Sequence, residues 1–487
     1  MKIRYLLADE LLKSSDEILE LDVSRCTSNF READDKSLLF LLPGINFNTY
    51  SIIDEYTKTK AVAIVTEDAS KISDKFQNII EVRNARKSFA HAMSEISQID
   101  YKSMSFIGIT GTNGKTSTAT LIYNILCKAE IPCGFIGTGK IFFNEINYAD
   151  KNYSMTSPDP DILYPILHDM QKRGCSVIVI EASSHALALD KLSPIPFKVG
   201  IFTGISHEHL EFHKTMENYF EAKEKLILKS EHAIINYDDE YGKKLYEKYK
   251  SKAIGIGMIW SCDSQAIDIE SHGVSGTSYI YKSKTGQTKI ELSIPGLYNI
   301  YNSMLAYEAA YKMNVCIDTI KSALKETKHI DGRFEVISSD VTVIIDYAHT
   351  PLALESLLKT VNTIKNTGQK TTLIFGCGGE RDPSKRPLMA AVAEKFADKI
   401  IVTSDNPRSE DENKIYADIE RGFENKDHGI IRDRRLAIEY AIKSADINEI
   451  IVIAGKGHEK YIKDKNGVHD FDEKSIVKSS LELRKKG

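Results

Sequence analysis

Residues 107–120 read IGITGTNGKTSTAT. The stretch closes an apolar run at 105–110 and opens an amphipathic one at Lys115. Between them lies Gly114-Lys115-Thr116, the tail of the phosphate-loop pattern G-x-x-x-x-G-K-[ST]. That pattern wants a glycine at position 109, where this chain has Ile109; the nearest glycines are Gly108 and Gly111. The predicted local order is strand (105–110), turn (111–114) and helix from Lys115. Such a turn aims backbone N–H groups and a helix N-terminus at phosphate oxygens. Gly111 and Gly114 allow close approach, and Thr112, Asn113 and Ser117 complete the loop. Lys115 is placed for the β- and γ-phosphates and Thr116 for Mg²⁺. The alternative is an ordinary capped strand–turn–helix, against which Gly-Lys-Thr in this context argues. Which reaction follows is left open, because kinases, switches and ligases all use such loops.

Working outward, apolar runs of strand length recur at 62–66, 176–180, 342–346, 372–376, 399–403 and 449–454. Their β-branched character predicts buried parallel strands. Helical patterns at 116–130 and 386–397 supply crossovers, so the fold class is α/β. The segment 255–295 reads as short strands and turns, an antiparallel edge. Polar stretches at 93–103 and 327–333 mark boundaries. The expected domains are 1–100, 101–330 and 331–487: a small α/β unit, a central mononucleotide-binding parallel sheet and a C-terminal Rossmann-like unit.

The chain has 487 residues, enough for about three domains. Its 42% hydrophobic and 27% charged residues suit a soluble globular protein. The net charge of −5 gives no reason to expect nucleic acid or an anionic membrane as a partner. Seven scattered cysteines without a Cys-x-x-Cys pair fit a reducing cytoplasm rather than a zinc site. The N-terminus has no apolar signal core, and no apolar run reaches the ~20 residues a membrane helix needs. The expectation is a cytoplasmic monomer acting on small molecules.

Several residues suggest more chemistry. Glu181 ends the strand-like run SVIVI, where ligands gather in open α/β sheets, and a carboxylate there can hold Mg²⁺. His209 stands in SHEHLEFH, and nothing in the spacing selects it over His207 or His213. Lys223, in YFEAKEKL, reads from spacing alone as a solvated surface lysine. Asn299 and Asn302 are three apart on a predicted helix and can face one ligand, although Asn299 also suits a cap after Pro295-Gly296.

The loop TGTNGKT resembles the Mur ligase superfamily, which includes folylpolyglutamate synthases and joins amines to carboxylates through acyl phosphates. TSPDP (156–160), EASSHALALDKL (181–192), HEHLEFHKTMENYFEAKEKL (207–226), DYAHTPLALE (346–355), FGCGGERDPSKRP (375–387), SDNPRSED (404–411) and GKGHE (455–459) follow in the family's order. They are similar to the branch that adds the third residue of the peptidoglycan stem peptide.

The resemblance implies ATP, two Mg²⁺ ions and CO₂, the last carried as a carbamate on Lys223. Thr116, Glu181, His209 and carbamylated Lys223 become metal ligands, and Lys115, Glu181, His209 and Lys223 the catalytic set. A carbamate needs a neutral amine, hence a lysine held below its ordinary pKa by burial or nearby cations. Asn299, Asn302, Arg333, Asp346 and His349 are implied as further ATP contacts, bridging two domains. Ser28, Thr156, Ser157, Ser183 and Lys191 are implied to hold a UDP-muramoyl dipeptide. Near TSNF (27–30) the family tends to Asp-Ser-Arg, and Asn29 stands in place of that arginine. Lys191 stands where the family commonly has arginine, keeping the charge without the bidentate fork.

The incoming amino acid is implied to meet Arg381, Asp405, Asn406, Pro407, Arg408, Gly455 and Glu459. Arg408 suits the extra carboxylate of meso-diaminopimelate, which lysine lacks. The expected reaction is therefore ATP-dependent addition of diaminopimelate. L-lysine addition and a folylpolyglutamate-synthase-like reaction are its alternatives. A nucleotide switch is disfavoured, since no Asn-Lys-x-Asp guanine motif is present.

Overall fold

The computed structural model describes residues 1–7, 10–44, 49–72, 76–149, 153, 155–284, 286–424 and 427–486. Three main sheets follow one another along the chain. The N-terminal sheet has Leu11–Lys13 antiparallel at one edge, beside Ile79–Val82. Ala63–Thr66, Ser37–Phe40 and Arg25–Thr27 continue it in parallel.

The central sheet has eleven strands among the described residues. Its parallel core runs Cys133–Gly137, Val177–Glu181, Ser105–Thr110, Phe197–Phe202, His232–Asn236, Ala253–Gly257. The segment 255–295 supplies the edge expected of it: Ser264–Ser271, Thr277–Ser283 and Gly286–Leu292 pair antiparallel. The C-terminal sheet is parallel through Thr342–Asp346, Ile450–Ala454, Thr371–Phe375 and Lys399–Val402, with Glu335–Ser338 antiparallel at its edge.

Strand residues alternate between two cores. Ile107 and Ile109 face Leu121, Ile122 and Met304 on the helices Lys115–Lys128 and Leu297–Lys312. Phe106 and Ile178 face Leu163, Leu167 and Leu226 on the helices Pro160–Lys172 and Met216–Lys229. That second core is continuous with Ile3, Phe40 and Phe89, so the N-terminal unit shares apolar packing with the central one. No helix among the described residues is long and apolar enough to cross a membrane.

Two readings from spacing are corrected. The helix near Asn299 begins at Leu297 with Gly296 as its cap, so Asn299 is inside the first turn. Lys223 is not a surface lysine; it is 1% exposed. Its helix buries Tyr219, Ala222, Lys223, Leu226 and Ile227, which is a single i, i+3, i+4, i+7 face.

Candidate active site

Ile109 is fully buried in the strand core, so the phosphate loop opens at Gly111 rather than at the position the general pattern expects. Gly111 has φ +147°, and a Cβ there would lie 1.9 Å from Thr203 Oγ1. Gly114 has φ +86°, and its Cβ would lie 2.7 Å from Asn302 Oδ1. Helix Lys115–Lys128 then starts without a side-chain cap. Its first-turn N–H groups are therefore free of the usual side-chain acceptor and suited to an anion. Lys115 Nζ donates to the carbonyls of Gly111 (3.0 Å) and Thr112 (2.9 Å).

Gly111→Ala is accordingly expected to weaken nucleotide binding by about 100-fold or more, because the loop must move away from the phosphates. Gly174→Ala is the control: it also sits at positive φ (+87°) but has nothing within 4 Å of its added Cβ. Calorimetric titration with Mg·ADP reads both; equal affinities would remove Gly111 from the nucleotide site.

Glu181 ends its strand fully buried. Its Oε2 accepts from the hydroxyls of Thr116 (3.0 Å) and Thr138 (3.2 Å), and its Oε1 from Thr138 N–H (3.2 Å). Thr138 was not anticipated. It follows the strand Cys133–Gly137, and the carboxyl-edge rule applied there identifies it. Arg333 reaches the same point from the C-terminal unit, with Nη2 3.5 Å from Thr116 Oγ1 and its guanidinium 4.3 Å from the Tyr347 ring centroid. Its Nε is buried without a hydrogen-bond partner. Asn302 Oδ1 accepts from Thr118 Oγ1 (3.2 Å), and Asn302 Nδ2 donates to Asn299 Oδ1 (3.2 Å). Asn299 in turn donates to Pro295 O (2.7 Å), so the pair lies together beside Gly114. Asp346 is occupied by backbone: its oxygens accept from Phe334 N–H and Ala348 N–H, both at 2.7 Å.

Lys223 Nζ donates to Gly111 O (2.8 Å) and lies 4.5 Å from the Tyr219 ring centroid. Burial, reinforced by the nearby Lys115 cation, pushes its pKa well below the ordinary lysine value. The Tyr219 hydroxyl sits 3.1 Å from Thr112 Oγ1, joining this helix to the loop. Around Tyr219 gather His209, His213 and, beyond them, His185, whose rings lie 5.0 Å and 5.5 Å from those of His209 and His213. Burial holds His185 and His213 at about 4, and lowers His209 as well. His209 starts the helix Leu210–His213 in the left-handed region (φ +58°), while His207 is exposed.

Glu208 was also missed by sequence reading. Its Oε1 lies 3.3 Å from His349 Nε2, joining the central and C-terminal units. Burial alone raises a carboxylate, but the His349 bond, with His209 and Lys115 nearby, outweighs it and holds Glu208 well below the carboxylate range.

The implied sugar-nucleotide residues fall in two places. Ser157 Oγ bridges Glu181 O (2.7 Å) and Ser183 Oγ (3.2 Å), and Thr156 Oγ1 lies 3.1 Å from Thr138 Oγ1. Ser183 also caps the helix Ser184–Ala188. Ser28 and Lys191 instead line a cavity of about 210 Å³ between the N-terminal and central units, with Arg86, Asp159 and Asp161. Lys191 Nζ lies 2.6 Å from Asp159 Oδ1. Asn29 is outside that cavity lining; it caps the short helix Phe30–Glu32.

The third cluster occupies the carboxyl edge of the C-terminal sheet. Asp405 and Asn406 are buried after the strand Lys399–Val402. Arg408 (φ +56°) donates through Nη1 to Gly379 O (2.6 Å) and Asn406 O (3.2 Å), which aims its side chain back under the loop rather than into solvent. Arg381, by contrast, is exposed. Gly455 has φ +120°, and a Cβ there would lie 2.6 Å from Asp405 Oδ2. Glu459 Oε2 accepts from Asn406 Nδ2 (2.9 Å). Pro407 carries the turn between Asn406 and Arg408, and its carbonyl would lie 2.0 Å from a Cβ on Gly379.

Residues 109–310 match the Mur ligase middle domain, and residues 332–457 match the Mur ligase glutamate ligase domain. A protein of Clostridioides difficile (strain 630), named UDP-N-acetylmuramoyl-L-alanyl-D-glutamate–2,6-diaminopimelate ligase, is 35% identical over 95% of this chain and 96% of its own length. The chain belongs to the Mur ligase family. A relative of the same name from Alkaliphilus oremlandii (strain OhILAs) is 36% identical over 96% of each chain. A solved structure of a UDP-N-acetylmuramoyl-L-alanyl-D-glutamate–2,6-diaminopimelate ligase superposes with a TM-score of 0.68 at 27% identity, covering 97% of this chain and 99% of that one. As a Mur ligase, the chain is an ATP-dependent acid–amino-acid ligase, and its α/β architecture is that of the family.

Proposed function

We propose that the chain joins meso-2,6-diaminopimelate to the D-glutamyl carboxylate of UDP-N-acetylmuramoyl-L-alanyl-D-glutamate, converting ATP to ADP and phosphate. The reaction belongs to cytoplasmic peptidoglycan precursor synthesis. What carries this reading is Thr116: its hydroxyl meets Glu181 of the central sheet and Arg333 of the C-terminal unit. These contacts support nucleotide chemistry between the two units, with the amino-acid cluster assigned to the carboxyl edge of the C-terminal sheet. Residues 1–100, 101–330 and 331–487 are assigned to the UDP end, to ATP and to the incoming amino acid, respectively.

A carboxylate oxygen of the D-glutamyl residue attacks the γ-phosphorus, and ADP leaves. The deprotonated amine of diaminopimelate then attacks the acyl carbon of the acyl phosphate, the nitrogen gives up one proton, and phosphate leaves and takes that proton up. The loop from Gly111 to Ser117 cradles the phosphates, while Asn299 and Asn302 with Asp346 border the nucleoside. Arg333 and His349, brought in by the C-terminal unit, complete the pocket and exclude water, which otherwise hydrolyses an acyl phosphate.

Thr116 and Glu181 offer hard oxygen donors, which suits Mg²⁺, and His209 with Lys223 stands ready for a second ion. When bound, Mg²⁺ offsets the negative charge that ATP and the carboxylate bring together. Lys223 fits carbamylation: its amine is buried, its pKa is lowered, and CO₂ addition turns it into an oxygen donor. The UDP end is assigned to the cavity lined by Ser28 and Lys191, with Thr156, Ser157 and Ser183 leading from it toward Glu181.

Arg408 favours diaminopimelate over lysine, because only the former brings a carboxylate to the distal end. Phosphate release, measured with ATP, the UDP-muramoyl dipeptide, Mg²⁺ and bicarbonate, is expected with diaminopimelate and far less with lysine. Arg408→Ala is expected to lower kcat/KM for diaminopimelate by about 10²–10³-fold and to leave the residual lysine rate nearly unchanged. Equal turnover of both amino acids by the unaltered protein would sink the diaminopimelate assignment.

A further inference from the structure

Lys456 is fully buried, yet none of the roles above uses it. Its Nζ donates to Asn406 Oδ1 (3.0 Å) and to Glu459 Oε2 (3.3 Å), and lies 3.8 Å from Asp405 Oδ1. It therefore touches three of the residues assigned to the amino acid and sits beneath them, closed to solvent. The Asn406 amide is fixed by this contact: Oδ1 also accepts from Lys463 N–H (2.9 Å), which leaves Nδ2 pointing at Glu459.

The charge count gives the arrangement its meaning. Asp405 and Glu459 are two carboxylates that share the Lys456 amine. The Lys456 amine, within 3.3 Å of Glu459 and 3.8 Å of Asp405, is the cation that lies between them. The other buried cation beside Asp405, Arg434, is already matched by Glu473 at 2.5 Å. Burial raises Asp405, but Lys456 and Arg434 outweigh it and hold the carboxyl below its ordinary value. With Lys456 in place, the pair presents a single net negative charge, complementary to one ammonium, and Arg408 is left for one carboxylate. The pocket then matches a zwitterionic group. Were Lys456 neutral, the pocket would carry an extra negative charge and suit a bare ammonium, the distal group of lysine.

We propose that Lys456 is a positioning residue that sets the charge of the amino-acid pocket, and so favours a zwitterionic distal centre over a lone ammonium. The inference rests on the diaminopimelate assignment. It extends selection beyond Arg408, since Lys456 acts through Asp405, Asn406 and Glu459 and needs no contact with the substrate.

The test compares Lys456→Met and Lys456→Gln with the unaltered enzyme by steady-state phosphate release, varying each substrate in turn. In both variants KM for diaminopimelate is expected to rise about tenfold or more, with KM for ATP and for the UDP-muramoyl dipeptide changed less than about twofold. The ratio of kcat/KM for diaminopimelate to that for lysine is expected to fall by about tenfold. A parallel loss across all three substrates, an unchanged ratio, or failure of both variants to fold would overturn the proposal in favour of a purely structural lysine. Absence of diaminopimelate turnover by the unaltered enzyme is a separate result, and refutes the parent assignment instead.

Discussion

Lys223→Met is expected to abolish ligation while raising the melting temperature of the ligand-free protein. Lys223 is buried with one hydrogen bond among the described residues, to Gly111 O, and faces the Tyr219 ring, with the Glu208 carboxylate near enough to offset only part of the cost of burial. An amine with three donors is poorly satisfied there, and Lys115 adds like charge nearby. Methionine fills similar volume on the same apolar helix face, beside Leu226 and Tyr219. Replacing such a group by a hydrophobe stabilises by about 1–3 kcal/mol. The gain appears as a rise of a few degrees, read as an operational melting temperature because a chain of several units does not unfold in one step. Turnover should meanwhile fall by about 10³-fold or more, since the side chain that would carry the carbamate is gone. Thermal melts and phosphate release with added bicarbonate measure the two effects on one sample. Turnover within tenfold of the unaltered protein would reject the carbamate, and a lowered melting temperature would show that the amine is better satisfied than its contacts suggest.

The same residue marks the limit of what the sequence discloses. The parallel strands were legible because buried β-branched runs admit few other readings: 105–110 and 342–346 recur in the structure as Ser105–Thr110 and Thr342–Asp346. The strand–turn–helix order around Gly111 and Gly114 was equally legible, and the absence of glycine at 109 has a simple cause: Ile109 packs in the core between sheet and helix. Lys223 misleads because its neighbours Glu221, Glu224 and Lys225 are charged, which suggests a wet face. Its register with Tyr219 and Leu226 was the better signal of burial, and the neutral amine implied by the resemblance to known ligases agrees with that burial. Glu208, Thr138 and Lys456 make contacts with residues far along the chain, as Glu208 does with His349 and Lys456 with Asn406. No local pattern encodes such pairs, whereas the carboxyl ends of successive strands were available as a guide and would have returned Thr138.

The loops of the proposed amino-acid site depend on another buried ion, and breaking it should have the largest effect on stability. Arg386 is fully buried. It donates to both oxygens of Glu410 at 2.8 Å and to Asp418 Oδ2 at 2.9 Å. Glu410 Oε2 also accepts from Glu380 N–H at 2.8 Å, so this triad ties the loop carrying Arg381 to the loop carrying Asp405 and Arg408. Arg386→Met takes the arginine from Glu410 and leaves Asp418 to the exposed Arg421 (2.9 Å), and breaking such a buried ion costs about 3–5 kcal/mol. The bond to Arg386 holds Glu410 at about 2, against an ordinary value of 4.5. A folded-state value below the unfolded one means that the unfolded chain takes up this proton first as acid is added. The contribution is therefore fully present above pH 4.5 and lost as pH falls through about 2. Glu410→Gln should accordingly be less stable than the unaltered protein at neutral pH, and the difference should narrow through that acid window. Arg386→Met should in addition raise KM for diaminopimelate more than KM for ATP, because the phosphate loop lies on another sheet. Circular-dichroism melts from pH 7 down to pH 2 follow the first effect and substrate-by-substrate kinetics the second. A variant of Arg386 that melts like the unaltered protein, or a Glu410→Gln difference that stays constant through the acid window, would show that the triad does not hold these loops.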